Sequence, residues 1–257
     1  LYDKWWTVTG ADAPTTDNPL WATQTTNTRS GEDTWRCKEC HGWDYQGKDG
    51  AYGSGSHFTG FPGVLAAQGK TAEELASALQ GSVNADHDFS SVLDEASIND
   101  LVNFLKEATV DLRAYVNYDT KAATNADSTT GSSLFAGTCA ACHGADGTAL
   151  NWGNEEVPEY VGTLANDNPW EFLHKARFGH PGTAMPSTVD IGWSLQNAAD
   201  VLAYAQTLPT GAEAAEVLPQ TGGSPLWTPQ FLLVTGLLVL ALGLALLAPQ
   251  IVRRIRS

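Results

Sequence analysis

Two pentapeptides hold every cysteine of the chain: Cys37-Lys38-Glu39-Cys40-His41 and Cys139-Ala140-Ala141-Cys142-His143. Thiols three positions apart share one helical turn, and the next residue in each copy is a histidine. Three chemistries use such pairs. A zinc ribbon separates its two pairs by ~15–20 residues, whereas Cys40 and Cys139 are 99 positions apart. A thioredoxin-like dithiol sits in a βαβ context, and no strand pattern flanks either copy. The third chemistry is thioether attachment of haem: each thiol bonds one vinyl group and the histidine gives the iron its proximal nitrogen. The spacing therefore predicts two covalently attached haem c groups, held by Cys37, Cys40, Cys139 and Cys142, with His41 and His143 as proximal iron ligands. No cysteine is left for a disulfide, a nucleophile or a thiolate axial ligand.

The elements that position these motifs are helical. After the Gly-rich stretch from Gly42 to Gly63, Thr71-Ala72-Glu73-Glu74 has the form of a capping box. Ala72, Leu75, Ala76 and Leu79 make one apolar stripe behind it. Ser97 to Asp100 reads as a second start, followed by Ile98, Leu101, Val102 and Leu105 at i, i+3, i+4, i+7. In the second half Asn168-Pro169 is a cap followed by proline at the first helical position. Asn197 reads as the cap of a helix with Val201, Tyr204, Ala205 and Leu208 on one face. Haem cysteine and final cap are 60 residues apart in the first half and 58 in the second, which argues for two copies of one unit. Residues 1–30 read as an irregular extension whose Trp5-Trp6 pair packs on the first unit, and 111–130 as a linker without hydrophobic period.

Each unit resembles a class I cytochrome c domain: haem motif on a first helix, Gly-rich loops, and a C-terminal helix packed across the first. Leu134-Phe135, the run from Cys139 to Gly147 and Ala184-Met185-Pro186 carry the resemblance in the second unit; the first matches less well. The resemblance implies an all-α fold with two tandem domains, 31–110 and 131–209. It also implies that Met185, the one methionine of the chain, is the axial thioether ligand of the second haem. The first unit has no methionine. His87 lies 13 residues before Asp100, much as Met185 lies 15 before Asp200, so His87 is the candidate sixth ligand and His57, in the Gly-rich loop, its rival. Bis-His ligation lacks the thioether that favours ferrous iron, so the first haem is expected at the lower potential. His174 and His180 read as surface histidines.

The last stretch changes character. After a 210–225 linker, residues 226–252 centre on an uncharged run from Phe231 to Ala248, followed by Arg253, Arg254 and Arg256 in a 253–257 tail. Eighteen such residues reach the lower end of the ~17–25 needed to span a bilayer. The arginines belong on the cytoplasmic side. A single-pass C-terminal anchor is expected, with the haem domains on the extracytoplasmic face and the C-terminus cytoplasmic. Leu1 is preceded by no charged and apolar leader, so any secretory signal is expected to have been removed. Leu218-Pro219-Gln220-Thr221-Gly222 with the apolar run and basic tail also resembles a sortase sorting signal. A Pro/Gly linker into the membrane is the plainer reading.

All 29 acidic residues lie at or before Glu216, and the whole chain carries a net charge of −15. Nucleic acid is a poor partner for so acidic a body; a basic redox partner, or solubility in a salty medium, fits it. The dihaem arrangement with an anchor resembles the cytochrome cc subunit of some bacterial cytochrome bc complexes. That implies an electron relay, not itself an enzyme, within a respiratory or photosynthetic complex, partnered by membrane redox subunits, by a soluble or membrane donor and acceptor, and by the bilayer. A dihaem redox enzyme of peroxidase or sulfur-compound dehydrogenase type, and a wall-attached relay, are the alternatives.

Overall fold

Capping chemistry sets where the helices begin. In the computed structural model, which describes residues 1–211, Thr71 starts α3 (Ala72–Leu79). Its hydroxyl accepts from the Glu74 N–H at 3.2 Å, and the Glu74 carboxylate accepts from the Thr71 N–H at 2.7 Å. Asn168 caps α8 (Pro169–Phe178) with proline first. Two other starts differ from expectation. Asp94, not Ser97, caps α4 (Glu95–Asn103). Ser194, not Asn197, caps α9 (Leu195–Ala205), and Asn197 returns a bond to the Ser194 N–H at 3.0 Å. In both, the residue read as the cap is the third helical residue, itself polar and tied to the cap. Because both starts move by three positions, the near-equal spacing from haem cysteine to final helix survives.

The second haem motif ends a long helical run. α5 (Ser128–Leu134), capped by Asp127, passes through a π turn, Phe135–Cys139, into α6 (Ala140–His143). α5 crosses α9 at contact distance: a Cβ on Gly131 would stand 1.9 Å from the Asp200 carbonyl oxygen. One turn on, the Phe135 and Tyr204 rings meet at 5.4 Å. With α7 (Val161–Asp167) and α8, this crossing builds a core around Phe135, Leu173, Val201 and Leu202.

The first motif sits on a shorter element, α2 (Cys37–His41). Residues 1–30, expected to be irregular, instead open with α1 (Trp5–Thr9) and include a 3-10 turn at Pro19–Thr23. Trp5 and Trp6 are buried among Leu75, Leu79, Ile98 and Leu101 of α3 and α4. The Tyr2 hydroxyl donates to the Gly42 carbonyl at 2.8 Å and the Lys38 N–H donates to the Tyr2 carbonyl at 3.3 Å, so the chain start clamps α2.

The two motif-bearing halves share a core. Trp43 and Tyr52, next to the first motif, are buried in the same cluster as Phe172, Leu173 and Leu202. Leu112 and Val116, in the stretch read as a linker, are buried there too. His174, expected at the surface, is buried, and its Nδ1 shares a 2.8 Å hydrogen bond with the Tyr45 hydroxyl. The Arg177 guanidinium donates to the Ala108 carbonyl at 3.0 Å. The described residues accordingly belong to one compact unit. The expected linker at 210–225 from Ala212 onward, the span at 226–252 and the basic tail lie outside the described residues. Among the described residues no helix is long and apolar enough to cross a membrane.

Candidate haem-binding sites

The two cysteine motifs have the same local backbone. Each motif helix ends on a glycine with nearly the same dihedrals, Gly42 at φ 75, ψ 157 and Gly144 at φ 80, ψ 159. The carbonyl of each motif histidine accepts from the N–H six residues on, Gly47 to His41 at 2.8 Å and Ala149 to His143 at 3.0 Å. An aspartate at the same offset accepts from the N–H two residues later in both, Asp44 from Gln46 and Asp146 from Thr148. Sequence, turn and capping agree, so the pentapeptides are two copies of one structural device.

In the first half that device faces an open cleft of about 250 Å³. Cys37, Cys40 and His41 line one side, and Ala78, Asn84, His87 and Phe89 are among the residues lining the rest. Cys37 and Cys40 are not joined in a disulfide. Burial pushes Cys37 up to about 11 and Cys40 to about 12, the wrong direction for a dithiol redox centre, which needs a thiolate near neutral pH.

The two histidines are held alike. His41 Nδ1–H donates to the Pro62 carbonyl at 2.7 Å. His87 Nδ1–H donates to the Ala78 carbonyl at 3.1 Å. A carbonyl can only accept, so the proton of each neutral ring is fixed on Nδ1 and the Nε2 lone pair is free for a metal. Burial lowers the His41 pKa to about 4, which keeps that ring neutral. The ring centroids stand 6.2 Å apart at 78°. Two imidazoles on opposite sides of one iron, with nitrogens ~2 Å from it and centroids ~1 Å further out, need a separation of ~6 Å. The residues present therefore fit a covalently held haem between His41 and His87.

Loop chemistry places both acceptors. Residues 45–48 run against 61–64, with the Lys48 N–H donating to the Phe61 carbonyl at 2.8 Å. A Cβ at Gly63 would lie 2.4 Å from the Gln46 Cα, so only glycine permits the approach that aims Pro62 at His41. After α3 the chain doubles back, Gln80 pairing with Asp88 and the Phe89 N–H donating to the Leu79 carbonyl. That return brings His87 beside Ala78. His57 does not line the cleft: its ring stacks on Tyr52 at 4.3 Å and faces Glu39 at 3.5 Å.

Sequence reasoning missed the charge cluster behind the first motif. Lys38 and Glu39, between the two cysteines, are both buried and paired with each other. Arg29 and His57 also face the Glu39 carboxylate, at 3.4 and 3.5 Å. Burial alone would raise that carboxyl, but His57, Lys38 and Arg29 outweigh it and bring it down to about 2. Polar identity inside a C-x-x-C pair gives no sign of burial, so no pattern in the sequence announced it.

These groups set an acid limit. Burial lowers His174 from 6.5 to about 3, so below pH 6.5 the unfolded chain takes up a proton that the native state refuses. Glu39 is depressed, so its contribution is present above its ordinary pKa of 4.5 and disappears as pH falls toward 2. The holoprotein's melting temperature is expected to decline below pH 6.5 and more steeply below 4.5. Glu39→Gln should lower it at neutral pH and flatten the second decline; a scanning-calorimetry series with an unchanged acid limb would contradict this.

The second motif is more open. Cys139 is half-buried, Cys142 exposed, and burial raises Cys139 to about 11. His143 is half-buried; its Nδ1 is buried without a hydrogen-bond partner, and the Trp152 ring lies 5.7 Å away. Met185 is half-buried in the loop between α8 and α9, its N–H donating to the Thr183 hydroxyl at 3.2 Å. The backbone at Gly179 abuts it: a Cβ there would meet the Met185 carbonyl oxygen at 2.6 Å.

No curated protein and no solved structure matches the chain significantly. The family model described as cytochrome C oxidase, cbb3-type, subunit III matches residues 126–204. That stretch holds the second motif and the α5–α9 crossing, and the match supports a class I cytochrome c domain there, with covalently bound haem and a role in electron transfer.

Proposed function

We propose that this chain is a dihaem c-type electron relay, held at the extracytoplasmic face of a membrane by residues 226–252 and working as a subunit of a larger redox complex. The observation that carries the reading is the facing pair His41 and His87, both with Nε2 freed, across a cleft walled by Cys37 and Cys40. Haem supplies reversible one-electron exchange. The protein would supply the rest: four thiols for attachment, His41 and His87 to hold one haem iron, His143 and Met185 to hold the other, and a core shared by the two halves. With both His41 and His87 available to hold the first iron, no position would stay open for a substrate, which favours a relay over a catalyst. The likeness of residues 126–204 to a cbb3 oxidase cytochrome subunit supports a membrane redox assembly as the setting.

The test is purification of the full chain from native membranes in mild detergent, with a haemochrome count and mass spectrometry of what remains bound. Two haems per chain and an integral-membrane redox partner are expected. One haem per chain, or a high-spin peroxide-reactive haem in a solitary protein, would overturn the reading.

A further inference from the structure

We propose that the loop from Leu150 to Glu159, beside the second haem motif, is the docking surface for a cationic redox protein; the proposal rests on the relay reading above. Three observations meet at this loop. It displays apolar side chains to solvent: Leu150 is 43% exposed, Trp152 49% and Val157 65%. Its acids, Glu155, Glu156 and Glu159, are exposed beside them, and from Gly144 to His174 there is no lysine or arginine. The Trp152 ring also sits 5.7 Å from the His143 ring, so a protein seated here is next to the second redox centre.

The loop is built to hold this display. Asn151 Oδ1 accepts from the N–H groups of Gly153 and Glu159, both at 3.0 Å. Asn154 Oδ1 accepts from Glu156 at 2.9 Å and Val157 at 2.8 Å. The Trp152 N–H donates to the Glu159 carbonyl at 2.9 Å. Asparagine side chains thus satisfy backbone donors that sheet or helix would otherwise serve, and little ordering is left for a partner to impose. An apolar centre with an acidic edge is complementary to an apolar patch rimmed by lysine or arginine, and the acids speed encounter with such a surface.

The experiment measures electron exchange between the full-length holoprotein and a small basic mitochondrial-type cytochrome c, by stopped flow at low and high salt, with binding of the oxidised pair followed in parallel by calorimetry. The double variant Glu155→Lys/Glu156→Lys is expected to slow exchange roughly 10-fold or more at low salt, with the difference vanishing at high salt, and to weaken binding. Val157→Ser should weaken binding at both salt levels. The control is a triple reversal at exposed Asp12, Glu107 and Asp119, remote in sequence. If it slows exchange as much, the acidic body as a whole does the steering and the loop proposal fails. An unaffected double variant also overturns it. Loop-dependent binding without electron exchange would sink the relay reading and leave the docking surface standing.

Discussion

On the proposed dihaem reading, a His87→Ala variant is expected to convert one haem from low-spin, six-coordinate iron to a high-spin form that binds cyanide or carbon monoxide, while the other keeps its spectrum. The cause is the 6.2 Å placement of His87 opposite His41 and the bond that fixes its proton on Nδ1. The first half has no methionine to take its place. Magnetic circular dichroism and ligand titration read the outcome, one new binding site per chain. His57→Ala separates the two candidates. It leaves the buried Glu39 carboxylate without a neighbour at 3.5 Å, so it should lower stability and leave both spin states alone. A variant set in which His57, not His87, opens an iron would reverse the ligand assignment.

Gly131→Ala is expected to cost about 3 kcal/mol, the upper end for overpacking, because the added methyl would lie 1.9 Å from a backbone oxygen of α9 that cannot rotate away. For a unit of this size that corresponds to a fall in melting temperature of about 10 °C. Gly137→Ala, in the same helical run with nothing within 4 Å of its added Cβ, is the matched control and should be near neutral. Equal melting temperatures for the two variants would mean that α5 and α9 cross differently.

Periodicity and capping signals made α3, α4 and α9 legible because each buries one apolar stripe, and Asn168-Pro169 marked the start of α8. The two Cys-x-x-Cys-His motifs stood out because thioether attachment of haem fixes such a spacing. What escaped was set by contacts distant in sequence. α1 has five residues and no period to read; Trp5 and Trp6 are helical because α3 and α4 cover them. Leu112 and Val116 looked like linker because the cluster that buries them is assembled from residues distant in sequence, from Trp43 to Leu208. His174 is buried because Tyr2, Trp43, Tyr45 and Phe104, all at least 70 positions earlier, pack around it. At the site, the expectation for His87 rests on counting from the last helix. What brings it to His41 is the doubling back of the chain at Gln80–Asp88, which has no signature of its own.

The shared core has a consequence for modularity. Tandem haem units joined by a free tether can be lost, duplicated or recombined one at a time, since each carries its own interior. Here a cut between 119 and 126 would strip Trp43, Tyr45 and Tyr52 from their cover on one fragment and leave His174 and Leu173 bare on the other. The two halves can therefore be engineered only as a whole. A chimaera that borrows either half must borrow the aromatic seam from both.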